Sequence, residues 1–484
     1  MSAPPSPGRG VVLLRRATEP GPGRRLLLVS YHFPPGTGIG ALRWRRMIPL
    51  LAEAGWAVDV VTVAPEATPE DGAALAELPP STEVLGVPDS RPFAARVEHA
   101  AWLLYRSARD AAARAAAFSE RAVEAAGGGA GADPPHRGRP PAVAAADVRW
   151  NLDSPRGWLR VFWARLERRR GRAWARAAAD AALALGAGRA YDAVVVSSPP
   201  HWTQYAGPRI AEGFAIPYLA DLRDPWAATA FLPEHVATPE WLRLARADER
   251  KAVRGAARLL ANTEAAAEAL RAAHPGRADA VRVVRNGWDR ATRRREAGSR
   301  FVIAYAGSIY GDRSPEPLFR AIARMRADRD LAPEHFGAEL MGPIDGGADR
   351  VRQLAAAAGV ADLVRVHPPG SRADARRFMA GAAVLVSLPW SQHLAVPAKV
   401  YDYLGFEAWP VILAGPDSAP AVMLEGTGAA VADPADPDGV AQLLCGLYDR
   451  WRVGERPGPV AGREAFHRSE AVKTLVHDLE DVVA

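Results

Sequence analysis

Lysine is rare in this chain: Lys251, Lys399 and Lys473 are the only ones among 61 Lys and Arg residues. Only Lys399 lies in a patterned segment, Val396-Pro397-Ala398-Lys399-Val400-Tyr401-Asp402-Tyr403-Leu404, closely followed by the apolar run Trp409-Pro410-Val411-Ile412-Leu413. This order predicts a short helix and then a buried strand. Pro397 suits the first turn of a helix, where a missing N–H costs nothing. Lys399 and Asp402 are three residues apart and share a helix face. A cation and an acid at that place suit a ligand with a phosphate and a sugar diol. Lys399 would neutralise the phosphate, and Asp402 would accept hydrogen bonds from the diol. The plain alternative is a surface ion pair worth under about 1 kcal/mol.

A second constellation is Tyr305-Ala306-Gly307-Ser308-Ile309-Tyr310-Gly311-Asp312-Arg313-Ser314-Pro315. Gly307 lets backbone approach a ligand just after a strand. Ser314 can cap the next helix and Pro315 fits its start. A helix start offers free N–H groups to a diphosphate, and Arg313 adds charge there. The alternative is an ordinary strand–helix turn with a surface arginine. Further candidates are His201, between a strand and a helix, and Asp221, Arg223 and Asp224 in Asp221-Leu222-Arg223-Asp224-Pro225-Trp226. Charges at a buried strand's carboxyl end usually face a cleft. An Arg–Asp network bracing the loop explains the same residues, and a capping role explains His201.

These groups need a scaffold, and the chain supplies two alternating blocks. Leu26–Tyr31, a loop with Gly36, Gly38 and Gly40, a helix near Ala41–Ala54 and a strand at Ala57–Val63 form a βαβ unit. Strands are expected again at Ala193–Ser197, Ile216–Ala220, Arg258–Ala261 and Val281–Val284. The second block has strands at Phe301–Ala306, Ala338–Met341, Leu363–Val366, Ala383–Leu388, Val411–Leu413 and Ala429–Val431, with helices between them. Two such blocks imply an α/β protein with two Rossmann-like doubly wound domains facing across a cleft. Residues 1–24 read as a disordered tail, 25–290 as the first domain and 300–460 as the second. A helical insert occupies about 91–188. Gly36-Thr37-Gly38-Ile39-Gly40 lacks the spacing of a dinucleotide fingerprint, and no acid ends the second strand, which argues against a nicotinamide enzyme.

The Pro397–Leu404 pattern resembles the donor-binding element of retaining GT-B glycosyltransferases of family 4, with Asp402 where a Glu is usual. The Asp221–Trp226 string resembles the same group, as does Asn286-Gly287-Trp288-Asp289 at the joint between the blocks. The resemblance runs from Leu26 to about Trp451, without the insert. It implies a GT-B fold in which residues 461–484 form a helix that crosses back to the first domain. It implies transfer of a hexose-type sugar from a nucleoside diphosphate sugar to a hydroxyl acceptor, with retention by front-face attack. Gly307, Ser308, Arg313, Lys399 and Asp402 would bind the donor. Arg313 and Lys399 would hold the leaving diphosphate without a metal, and His201 would contact the donor sugar. Gly38 and Gly40, with Asp221, Arg223 and Asp224, would shape the acceptor side. One departure stands out: the family often has another acid eight residues before Asp402, and here that position is Leu394. That absence favours an alternative function, a catalytically silent sugar-nucleotide or glycan-binding scaffold in an assembly complex; a third reading is a GT-B epimerase or hydrolase of nucleotide sugars.

The bulk composition fits. A chain of 484 residues, 49% hydrophobic and 24% charged, is ample for two domains. Cys445 is the only cysteine, which excludes an intrachain disulfide and a Cys-rich zinc site and points to a reducing cytoplasm. Residues 1–25 have no apolar core, and no run approaches the roughly 20 apolar residues of a membrane span. The stretch with Trp158, Phe162, Trp163, Leu166 and Trp174 among many arginines is basic and amphipathic. It reads either as a helix packed on the domain or as a contact with the inner membrane surface. The expected partners are a nucleotide sugar and a glycan or lipid-linked acceptor of cell-surface polysaccharide or glycoconjugate synthesis. No cofactor, metal or nucleic acid is expected.

Overall fold

The computed structural model describes residues 10–36, 39–65, 72–89, 142–145, 148, 155–224, 226–229, 231–233, 236–294, 300–310, 313–389 and 394–484. Its first ten strands are β1 (Val12–Arg15), β2 (Arg24–Ser30), β3 (Trp56–Val63), β4 (Val84–Val87), β5 (Ala142–Ala144), β6 (Ala193–Ser198), β7 (Tyr218–Leu222), β8 (Phe231–Pro233), β9 (Arg258–Ala261) and β10 (Val281–Val283). Eight of them form one sheet in the order β1-β4-β3-β2-β6-β7-β9-β10, while β5 and β8 pair separately. All neighbours in the large sheet run parallel except β1 against β4. The second sheet contains β11 (Phe301–Ala306), β12 (Phe336–Met341), β13 (Val364–His367), β14 (Val384–Ser387), β15 (Trp409–Leu413) and β16 (Ala430–Ala432). Its order is β13-β12-β11-β14-β15-β16, all parallel. Strand order reverses at β2/β6 in one sheet and at β11/β14 in the other, the places where open α/β sheets bind ligands.

The central strands read as continuous apolar runs because helices cover both faces. Leu27, Val29, Val194 and Val196 face helix Pro155–Leu185, whose Trp174, Ala175, Ala178, Ala179 and Ala182 are buried against them. On the other face, Leu26 and Leu28 meet Trp44, Met47, Ile48 and Leu51 of helix Leu42–Glu53. The C-terminal helix Arg468–Val483 adds Ala471, Val472, Leu475 and Leu479 to this first-domain core. Gly287 lets the joint between the domains lie against it, because a Cβ there would meet Arg468 Cα at 2.7 Å. The backbones are tied at that point by Trp288 N–H to Phe466 O (3.2 Å) and Arg468 N–H to Trp288 O (2.9 Å).

Three expectations change. The supposed disordered tail contains β1, and Arg15 donates to the carbonyls of Pro79, Leu78 and Thr82. The Pro/Gly-rich surroundings concealed a short edge strand. The supposed insert is in part integral: its helix Pro155–Leu185 is the layer that covers β2 and β6, through alanines spaced to form one helix face. Within that insert, residues 91–141, 146, 147 and 149–154 lie outside the described residues. Strand β7 runs two residues later than Ile216–Ala220, since Ile216 and Pro217 form the link between the turn at Ala215 and the strand.

Candidate active site

In the second domain the structure brings Gly307, Lys399, Tyr305 and Arg313 together. Lys399 lies in helix Ala398–Leu404, with Pro397 one position earlier than expected, at the cap. Its Nζ sits 3.8 Å from the centre of the Tyr305 ring. The ammonium is shielded from solvent and has no hydrogen-bond partner among the described residues. Gly307 at the end of β11 makes room for it: φ is +149°, and a Cβ there would lie 2.3 Å from Nζ. Burial, and then the Arg313 charge, hold the Lys399 pKa well below the ordinary lysine value. Arg313 stacks over Tyr310 at 4.8 Å. Tyr305 donates its hydroxyl hydrogen to Ser308 O at 2.8 Å, which ties the loop to the strand. Ser314 Oγ accepts from Glu316 N–H at 3.2 Å and so starts helix Glu316–Asp328. A buried cation without a counter-ion, beside a second cation and a glycine bend, can take an anionic oxygen.

Asp402 does not join this group as expected. Its Oδ1 pairs at 3.0 Å with Arg46 from the first domain, and the same guanidinium reaches Asp289 at 2.9 Å. Asp289 also pairs with Arg468. One helix turn therefore splits its two charges: Lys399 turns to the β11 loop and Asp402 across the domain boundary. Leu394, at the position of the absent acid, is also engaged by the first domain, its carbonyl accepting from Thr263 Oγ at 2.6 Å.

Across the cleft, the Asp221 and Arg223 side chains form the bracing network rather than a set of free charges. Asp221 is fully buried and accepts from Arg43 Nη2 (3.3 Å), Trp44 Nε1 (2.8 Å) and Ser197 Oγ (2.8 Å). Arg223 donates to Ser198 O (3.0 Å), Gly40 O (2.8 Å) and Pro199 O (3.2 Å). Arg223 thus fixes the glycine loop against the end of β6. Asp224 is half-buried beside it and offsets its charge. Gly38 lies outside the described residues, as do Gly311 and Asp312.

His201 begins a short turn after β6 and stacks on Trp226, with ring centres 5.3 Å apart and planes 12° apart. Its Nδ1 has no hydrogen-bond partner among the described residues. Burial first, then the Arg223 charge, push its pKa down to about 3, so the ring is neutral near pH 7. A neutral imidazole can exchange hydrogen bonds with a sugar hydroxyl but carries no proton to donate as an imidazolium. The residues that sequence reasoning missed are Tyr305, Arg43, Arg46 and His32. His32 follows β2 at the glycine loop, and burial and the Arg223 charge lower its pKa. Tyr305, two residues before Gly307, was the one with a readable signal.

Two facing doubly wound domains with a crossing C-terminal helix define the GT-B fold. Solved structures of this fold cover nearly the whole chain. A UDP-forming α,α-trehalose-phosphate synthase from Burkholderia xenovorans aligns with a TM-score of 0.54 at 14% identity, covering 96% of this chain and 100% of that one. The lipopolysaccharide outer core galactosyltransferase WaaB aligns at 0.53 and 11% identity, covering 94% and 99%.

In sequence, the chain is similar to curated D-inositol 3-phosphate glycosyltransferases. That of Catenulispora acidiphila is 28% identical over 251 residues, 48% of this chain and 58% of the relative. That of Mycobacterium marinum is 30% identical over 213 residues, 41% and 44%. That of Streptomyces griseus is 28% identical over 169 residues, 33% and 34%. The chain thus spans between about a third and just over half the length of these relatives. No protein-family model matches it.

Proposed function

We propose that this protein is a glycosyltransferase that moves a sugar from a nucleoside diphosphate sugar to a hydroxyl acceptor. The observation that carries this is the shielded, unpartnered Lys399 ammonium under Gly307 at the β11/β14 switch point of a GT-B fold. A diphosphate seated there would receive charge from Lys399 and Arg313 as its bond to the sugar breaks. Names of similar proteins support a sugar-type acceptor. The reaction would retain configuration, with the acceptor proton passing to the leaving phosphate oxygen. His201 would orient a sugar hydroxyl as a neutral hydrogen-bonding group. The pathway would be cytoplasmic synthesis of cell-surface polysaccharide or glycoconjugate, with no cofactor beyond the donor. No helix among the described residues is long and apolar enough to cross a membrane. Helix Pro155–Leu185 exposes Trp158 (61%) and Phe162 (56%), which fits a peripheral membrane contact.

Leu394 in place of an acid and the engagement of Asp402 by Arg46 favour a second reading, a sugar-nucleotide-binding scaffold without turnover. A thermal-shift screen against UDP, GDP, dTDP and ADP separates these readings from a site that binds no nucleotide. The proposal expects stabilisation by one base, lost in Lys399→Ala. A folded protein indifferent to all four overturns both readings.

A further inference from the structure

A cavity lies between helices Pro239–Gly255 and Glu264–Ala273. Five of its lining residues are alanines, among them Ala266 and Ala269, whose methyl groups leave a gap that larger side chains would fill. Trp226 and Leu270, both nearly buried, complete the apolar wall. The polar wall is internally satisfied: Glu249 accepts from Ala227 N–H at 2.8 Å and contacts His274 Nε2 at 2.9 Å. At the mouth stand Arg246 and Arg250, both exposed and without an ion-pair or hydrogen-bond partner among the described residues. Arg246 and Arg250 against the one buried carboxylate of Glu249 give the lining a net positive charge. The volume is about 210 Å³. That is below the roughly 300–1,000 Å³ that holds a whole drug-sized ligand, so the cavity suits one segment of a longer molecule.

We infer that this cavity is a subsite for the alkyl phosphate end of a lipid-linked acceptor, the chain lying on Trp226 and the alanines and the phosphate at Arg246 and Arg250. The assignment rests on the glycosyl-transfer reading for its role, though its binding chemistry stands apart from it. Trp226 links the two places, since its other partner is His201 of the cleft. Apolar burial supplies attraction for the chain, and two free guanidinium forks supply it for the anion.

Titration calorimetry with octyl phosphate, octanol and inorganic phosphate tests this, using the full chain. The expected result is that octyl phosphate binds about tenfold or more tighter than either fragment. Arg246→Ala with Arg250→Ala should remove most of that advantage. Ala269→Leu or Ala273→Leu should abolish octyl phosphate binding while leaving nucleoside diphosphate binding intact, which also shows that the variants are folded. No octyl phosphate binding, binding equal to that of octanol, or binding untouched by these changes overturns the inference. A loss of nucleotide binding in Lys399→Ala with octyl phosphate still bound separates failure of one site from failure of the other.

Discussion

Replacing Lys399 by Met should make the empty protein more stable and the protein worse at holding nucleotide. The side chain keeps its unbranched stem up to Cε, and the shielded ammonium disappears. A buried polar group without a partner costs about 1–3 kcal/mol, more when charged. The Tyr305 face at 3.8 Å returns about 0.5–2 kcal/mol of that as a cation–π contact. The difference is a gain of about 1 kcal/mol for Lys399→Met, or about 2–4 °C in the melting of the second domain. The pH dependence has a definite sign. The folded, empty protein holds this proton more weakly than the unfolded chain does, so the penalty is fully present below the folded pKa. Wild-type stability therefore rises with pH towards the ordinary lysine pKa, and Lys399→Met lacks that rise. A bound diphosphate reverses the preference, so nucleotide affinity should fall as pH climbs above the pKa of the empty site. At neutral pH the lost charge-assisted contacts, about 1.5–3 kcal/mol, weaken nucleotide binding about 10- to 150-fold. Thermal melts with and without nucleoside diphosphate across a pH series read all of this. A Lys399→Met protein that melts lower than wild type and keeps its full nucleotide shift would refute the reasoning.

Other substitutions separate binding from bracing. Gly307→Ala places a methyl where Nζ sits and forces a strained φ, a cost of about 1–3 kcal/mol, so both stability and nucleotide affinity should drop in denaturation and titration measurements. Asp221→Ala strands the Arg43 charge and should cost about 3–5 kcal/mol in urea unfolding; a loss of turnover with stability unchanged would assign Asp221 to catalysis instead. Arg46→Ala breaks the ties to Asp402 and Asp289 and should cost about 1 kcal/mol in low salt, the gap to wild type closing near 1 M salt because these pairs are partly exposed.

The alternation of apolar runs and glycine bends made both sheets readable, because a strand buried on two faces leaves no polar position to confuse the period. Leu26–Tyr31, Arg258–Ala261 and Phe301–Ala306 needed almost no adjustment. Strand β1 was not readable, since its stability comes from pairing with β4 and from Arg15 reaching carbonyls more than 60 residues away. Within the site, Gly307, Arg313 and Lys399 were legible as types suited to an anion. What spacing could not show is the direction in which a side chain turns. Lys399 and Asp402 share a helix turn, yet one faces a loop of its own domain and the other faces Arg46 of the opposite domain. The same limit applied to Asp221 and Arg223, whose charges suggested a cleft while their partners, Trp44, Ser197 and the Gly40 carbonyl, came from distant sequence.

The most direct test of glycosyl transfer is to incubate the full chain with the nucleotide sugar whose base it binds, with and without hydroxyl acceptors, and identify products by mass spectrometry. The account predicts nucleoside diphosphate release and a glycosylated acceptor, both dependent on acceptor and both lost in Lys399→Met. Donor binding with no turnover, or release of nucleoside diphosphate at the same rate without any acceptor, would contradict it.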